Sequence, residues 1–191
     1  MPLLSVSDPL PAVPRRVLVA GTSGSGKTTT AQRIASLLGI AHTEIDALFH
    51  GPGWTQRETF ETEVEAFSAA QTWVTEWQYA SVRPMLAERA DTLVWLNFRR
   101  STVMRQVIRR TVRRRLTRER LWNVNLEPPL WTILTDREHI VRWAWGTHER
   151  TAQHVREVLE EQPGLYVVEL RNQNEVDRWL AGPLTLVSRS A

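Results

Sequence analysis

The run "RVLVAGTSGSGKTTT", residues 16–30, constrains this chain more than any other stretch. Gly21, Gly26, Lys27 and Thr28 fit the pattern of a glycine, four residues, then Gly-Lys-Ser/Thr. In that pattern exposed backbone N–H groups wrap an anion, and the following helix points its N-terminus at it. Val17 to Ala20 form a continuous apolar run of the kind that makes a buried parallel strand, and 29–38 carries Ala31, Ile34, Ala35 and Leu38 at helical spacing. Strand, glycine turn and helix therefore follow in the order a phosphate-binding loop needs. The expected nucleotide-binding set is Gly21, Thr22, Ser23, Gly24, Ser25, Gly26, Lys27, Thr28 and Thr29. Lys27 is the single lysine among 24 basic residues; the rest are Arg. A compact ammonium fits inside a tight loop against phosphate oxygens, where a wide planar guanidinium does not.

Beyond the loop, strand-like runs at 41–46, 72–76, 92–98 and 165–169 alternate with amphipathic stretches at 56–70, 101–116, 140–159 and 175–180. That alternation predicts a three-layer α/β domain around a parallel sheet, with ligands gathered at the carboxyl ends of its strands. A chain of 191 residues with 42% apolar content supports one sizeable core, expected over 15–182. Residues 1–14, broken by Pro2, Pro9, Pro11 and Pro14, read as a loose arm and not as a signal peptide, and 183–191 as a tail. The absence of Cys excludes a disulfide framework and a thiolate metal site. No apolar run approaches a membrane span, so a cytoplasmic location is expected.

Two carboxylates end predicted strands. Glu76 closes "TWVTE" and, with the Thr28 hydroxyl, is the candidate for holding Mg²⁺ beside a nucleoside triphosphate. Asp46 closes "HTEID" across the expected cleft; it would take the proton of a hydroxyl acceptor, or orient a polar group if the acceptor is a phosphate. From Arg99 to Arg120 the chain has ten Arg and one acid, Glu119. Arg105, Arg109 and Arg113 step by four along one face of a predicted helix, which needs an anion or distant carboxylates to offset their repulsion. Most of the nine Trp read as packing; Trp54 and Trp77 lie near the expected cleft, where either could stack on a ligand. The five His show no metal-ligand spacing.

The blocks "GTSGSGKTTTAQRIASLLGIAHTEIDAL", "GPGW", "YASVRPMLAERADTLVWLNF", the arginine helix, "LWNVNLE" and "RWAWGTHER" together resemble the bacterial adenylate-kinase-like P-loop proteins often labelled DNA topology modulation proteins. The resemblance runs from about Val17 to Leu180. It implies a nucleoside-monophosphate-kinase-like fold with a five-stranded parallel sheet, an Arg-rich lid over about 105–130, and Mg-ATP as ligand. It also implies that Asp46 and Arg83 face the acceptor and that Arg109 and Arg113 belong to the lid; Trp54 and Tyr79 are expected beside Asp46 as acceptor-binding residues, and Lys27, Arg109 and Arg113 are expected to act on the phosphates. The chain departs from the pattern twice: Glu76, Trp77, Gln78 and Tyr79 stand where the family reads D-G-N-Y, and "WNVNLE", with Val124 and Leu126, where it reads W-N-G-N-R-E. The expected activity is transfer of the γ-phosphoryl of ATP to a nucleotide, nucleoside or other small acceptor. An ATP-dependent nucleic-acid-binding protein, contacting phosphates through the arginine helix, is the alternative.

Overall fold

A computed structural model describes residues 3–117 and 140–189. The elements are β1 (Leu3–Leu4), β2 (Arg16–Gly21), α1 (Lys27–Leu38), β3 (His42–Thr43), α2 (Ile45–Phe49), α3 (Phe60–Ser68), β4 (Trp73–Glu76), α4 (Arg83–Arg89), β5 (Thr92–Leu96), α5 (Arg100–Thr117), α6 (Ile140–Glu161), β6 (Tyr166–Leu170), α7 (Gln173–Trp179) and α8 (Thr185–Arg189). The strands form one sheet in the order β1-β6-β5-β2-β4-β3, parallel at every pairing.

The side-chain alternation of β2 builds the three layers. Val17 and Val19 enter a core with Ala31 and Ile34 of α1, Val103 and Val107 of α5, and Val176 and Trp179 of α7. Leu18 and Ala20 point the other way, into a core with Ile45 of α2, Phe60 of α3, Leu86 of α4 and Val155 of α6. A strand buried on both faces reads as an unbroken apolar run, which is why β2 and β5 were legible as such.

Three expectations need correction. The sheet has six strands, not five, because Leu3 and Leu4 of the expected arm pair with Val167 and Val168 of β6. The arm is anchored further by Leu10, which is buried in the first core. At the other end, Leu184 of the expected tail is fully buried there too. Finally, the run 41–46 is not one strand: β3 stops at Thr43 and α2 begins at Ile45. Only His42 and Thr43 find a ladder partner, on β4, and the Ile45 N–H is instead taken by the Glu76 carboxylate. Asp46 therefore lies in the first turn of a helix and not at a strand end. Of the expected lid over 105–130, the part from 118 onward, with Val124 and Leu126, lies outside the described residues.

Candidate active site

The loop leaves the middle of the sheet. After β2 the chain turns through Gly21 to Gly26, closed by a hydrogen bond from the Ser25 N–H to the Thr22 carbonyl (3.0 Å), and enters α1 at Lys27. Gly24 has a φ of 84°, and a Cβ there would overlap the Val107 side chain of α5. Only glycine meets both conditions at that position. Gly26 caps α1 in the left-handed conformation and supplies no side-chain acceptor, and no acid stands in the helix's first turn. Among the described residues nothing accepts from the first N–H groups of α1, and the helix dipole favours an anion there. Ser25 adds a hydroxyl that is buried and finds no hydrogen-bond partner among the described residues.

Four elements bring charge to this loop. Burial pushes the Lys27 ammonium below its ordinary pKa, Asp46 and Glu76 pull it back up, and Arg110 pushes it down again. Lys27 thus stands in the field of two carboxylates and one guanidinium. Glu76 is buried to 1% exposure. Its carboxylate meets His42 Nε2 at 3.2 Å and accepts from the Ile45 N–H at 3.1 Å. Burial raises its pKa, but those bonds outweigh burial and hold the carboxyl below its usual range. Two bonds leave part of the carboxylate's acceptor capacity unused, and Thr28 follows Lys27 in the first turn of α1. Hydroxyl and buried carboxylate are oxygen donors suited to Mg²⁺, which takes one or two protein groups plus phosphates and water.

Asp46 is gripped through one oxygen. Its Oδ1 accepts from Gln78 Nε2 and from the Tyr79 hydroxyl, the latter at 2.5 Å. Tyr79 stacks on Phe49 with ring centroids 3.9 Å apart, and its oxygen lies 3.3 Å from His50 Nε2. Trp54 sits beyond, edge-on to His50 at 5.1 Å. Arg83 opens α4, its guanidinium 5.7 Å from the centre of the Trp77 ring and within the field of Glu157. Trp77 itself is buried, its indole N–H bound to the Arg83 carbonyl at 3.0 Å, so it packs and does not stand open for stacking. Arg109 and Arg113 are exposed on α5, whereas the neighbouring Arg110 is half-buried and acts on Lys27. On the other side of β2, the ends of β5 and β6 enclose a hollow lined by Asn97, Arg99, Thr102, Arg171, Asn172 and Glu175.

Sequence reasoning missed Arg110, His42, His50 and Gln78. Arg110 carried a signal: it is three residues after Val107, the side chain that abuts the loop at Gly24, so it shares that face of the helix. The other three have no spacing that points to Asp46 or Glu76, since their contacts cross between elements.

No family model matches the chain, and no curated protein does either. Solved structures do. A gluconokinase from Sinorhizobium meliloti superposes with a TM-score of 0.51 at 19% identity, covering 96% of this chain and 97% of that one. A shikimate kinase from Bacteroides thetaiotaomicron gives 0.51 at 14% identity, with 92% and 99% covered. One from Acinetobacter baumannii, in complex with shikimate, gives 0.51 at 18%, with 92% and 94%. The fold is that of the small P-loop kinases. Among the described residues no helix is long and apolar enough to cross a membrane.

Proposed function

We propose that this protein is an ATP-dependent kinase that transfers the γ-phosphoryl group to a small acceptor. The observation that carries the reading is the glycine loop that opens α1 with a left-handed Gly26, no side-chain cap and no acid in the first turn, with Lys27 there in the field of Asp46, Glu76 and Arg110. The gluconokinase and shikimate kinase likenesses support it, as does the sequence resemblance to the adenylate-kinase-like proteins labelled DNA topology modulation proteins. The loop from Gly21 to Thr29 would hold the phosphates through its backbone N–H groups, with Lys27 against the β and γ oxygens. The hollow between the ends of β5 and β6 gives room for the rest of the nucleotide. Mg²⁺ would be held by Thr28 directly and by Glu76 through water, and would neutralise charge on the β and γ phosphates. Arg110, with Arg109 and Arg113 farther along α5, would meet charge developing on the transferred group. Asp46, faced by Trp54, Tyr79 and Arg83 on the acceptor side, would orient the acceptor and take its proton.

The test is a phosphotransfer screen with radiolabelled ATP against nucleotides, nucleosides and small hydroxyl metabolites, run beside the Lys27→Ala variant. Labelled product is expected with the wild type, and Lys27→Ala should lose both turnover and the thermal stabilisation that ATP gives. Wild-type ATP affinity in the variant would put the nucleotide elsewhere. The exposed Arg105 and Arg109 keep a nucleic-acid reading open. It requires binding that falls steeply with salt, where ATP in a loop falls far less.

A further inference from the structure

The helix that carries Asp46 depends on its neighbours for its place. α2 is five residues long, and its N-cap residue, Glu44, gives no side-chain bond to the first turn. So short a helix is unstable by itself in water, and its position is set by what grips it. The stretch from Glu76 to Tyr79 supplies the grip. The Glu76 carboxylate accepts from the Ile45 N–H at 3.1 Å. Gln78 Nε2 and the Tyr79 hydroxyl both donate to Asp46 Oδ1, the latter at 2.5 Å. The Tyr79 ring then stacks on Phe49, the last residue of α2, with centroids 3.9 Å apart and planes 15° from parallel. One stretch of chain thus holds α2 at its start, at its carboxylate and at its end.

That stretch is itself fixed. The Trp77 backbone N–H donates to the Val19 carbonyl of β2 at 2.9 Å, and its indole N–H to the Arg83 carbonyl at 3.0 Å. The Arg83 N–H returns to the Tyr79 carbonyl at 3.1 Å. Tyr79 has a φ of 65°, which bulky residues rarely adopt and which persists where the surroundings impose it. Burial first, and the Asp46 carboxylate second, push its phenol far above the ordinary range, so it stays a donor. Because β2 leads into the glycine loop, the grip ties Asp46 to the strand that carries the loop, and Asp46 acts on Lys27 there. Two donors also fill the acceptor capacity of Oδ1. A proton that reaches Asp46 is thereby directed to Oδ2.

We propose that Gln78 and Tyr79 are positioning residues for phosphoryl transfer: by holding Asp46 through Oδ1 they fix Oδ2 as the oxygen that takes the acceptor's hydroxyl proton. This rests on the kinase reading above. In the step they serve, the hydroxyl oxygen forms a bond to the γ-phosphorus, and the bond from that phosphorus to the β–γ bridging oxygen breaks. The electron pair leaves with ADP, and the hydroxyl proton passes to Asp46 Oδ2. Gln78 and Tyr79 neither gain nor lose a proton.

The test uses the full chain with Mg-ATP and the acceptors labelled in the phosphotransfer screen, and the variants Gln78→Leu, Tyr79→Phe and Asp46→Asn, singly and in pairs. Tyr79→Phe keeps the ring that stacks on Phe49 and removes only the hydroxyl. Gln78→Leu and Tyr79→Phe should each lower kcat about tenfold, with the KM for ATP within about twofold of the wild type. Added to Asp46→Asn, either change should cost less than about twofold, because residues that act through one group lose their effect once that group is gone. Amide exchange in the free protein reads the grip without any acceptor: residues 45–50 should exchange several-fold faster in both variants, with α7 unchanged. Wild-type kcat in both variants, an equal loss with and without the Asp46 carboxylate, or wild-type exchange over 45–50 overturns the assignment while the kinase reading stands. No transfer to any acceptor in the screen overturns both.

Discussion

Glu76 concentrates the residue-scale argument. Its carboxylate is buried between β3 and β4, yet stays ionised because His42 and the Ile45 N–H bind the charged form. The bond to Ile45 also starts α2, whose own N-cap residue Glu44 supplies no side-chain acceptor to the helix. A folded pKa below the ordinary value means stability that is present above the unfolded pKa and lost as pH falls through the folded one. Glu76→Gln should therefore cost about 1–3 kcal/mol at pH 7, and the gap to the wild type should close as pH drops below about 4.5. Urea titrations of both proteins at pH 7 and near pH 3.5 measure this, and an equal gap at both pH values would remove the charge from the account. The sequence marked Glu76 as chemical; that it also caps a helix on another element was not legible, because the bond spans 31 residues.

At the scale of elements, α5 was read correctly as a helix with an apolar face, and its register decides which arginine reaches the loop. Val103, Val107 and Thr111 are buried, Val107 lies against Gly24, and Arg110 follows on that side. Arg105 and Arg109 turn outward. The helix and the loop therefore hold each other in shape. Gly24→Ala would push a methyl group into Val107 at a φ that disfavours any side chain, and should destabilise the protein by about 2–4 kcal/mol. Val107→Ala in the same chain should restore part of that by removing the overlap, leaving the backbone cost. A double-mutant cycle from denaturant midpoints should give a coupling of about 1–2 kcal/mol. Strict additivity would mean that the two residues do not meet.

For the whole molecule, the sixth strand ties the beginning of the chain to the sheet edge. Leu4 and Val6 pack on the first core, and Leu3 and Leu4 pair with Val167 and Val168. Removing residues 1–8 should cost about 2 kcal/mol, from two half-buried aliphatic side chains, and should speed amide exchange along β6. Stabilisation by ATP should survive, since the loop and its charges lie on β2, β4, α1, α2 and α5. What the sequence alone determined is whatever repeats along the chain or sits within one turn: the glycine loop, the apolar β2 and β5, and the period of α5. What the tertiary structure decided is everything made by residues far apart in sequence. β1 pairs only because β6 lies open beside it, and α2 starts only because Glu76 arrives from the neighbouring strand. Asp46 presents one oxygen only because Gln78 and Tyr79 come from beyond β4 to hold the other. The physical reason is the range of the forces: periodicity and turn chemistry act locally and are written in order, while hydrogen bonds and burial across the sheet depend on which elements end up as neighbours.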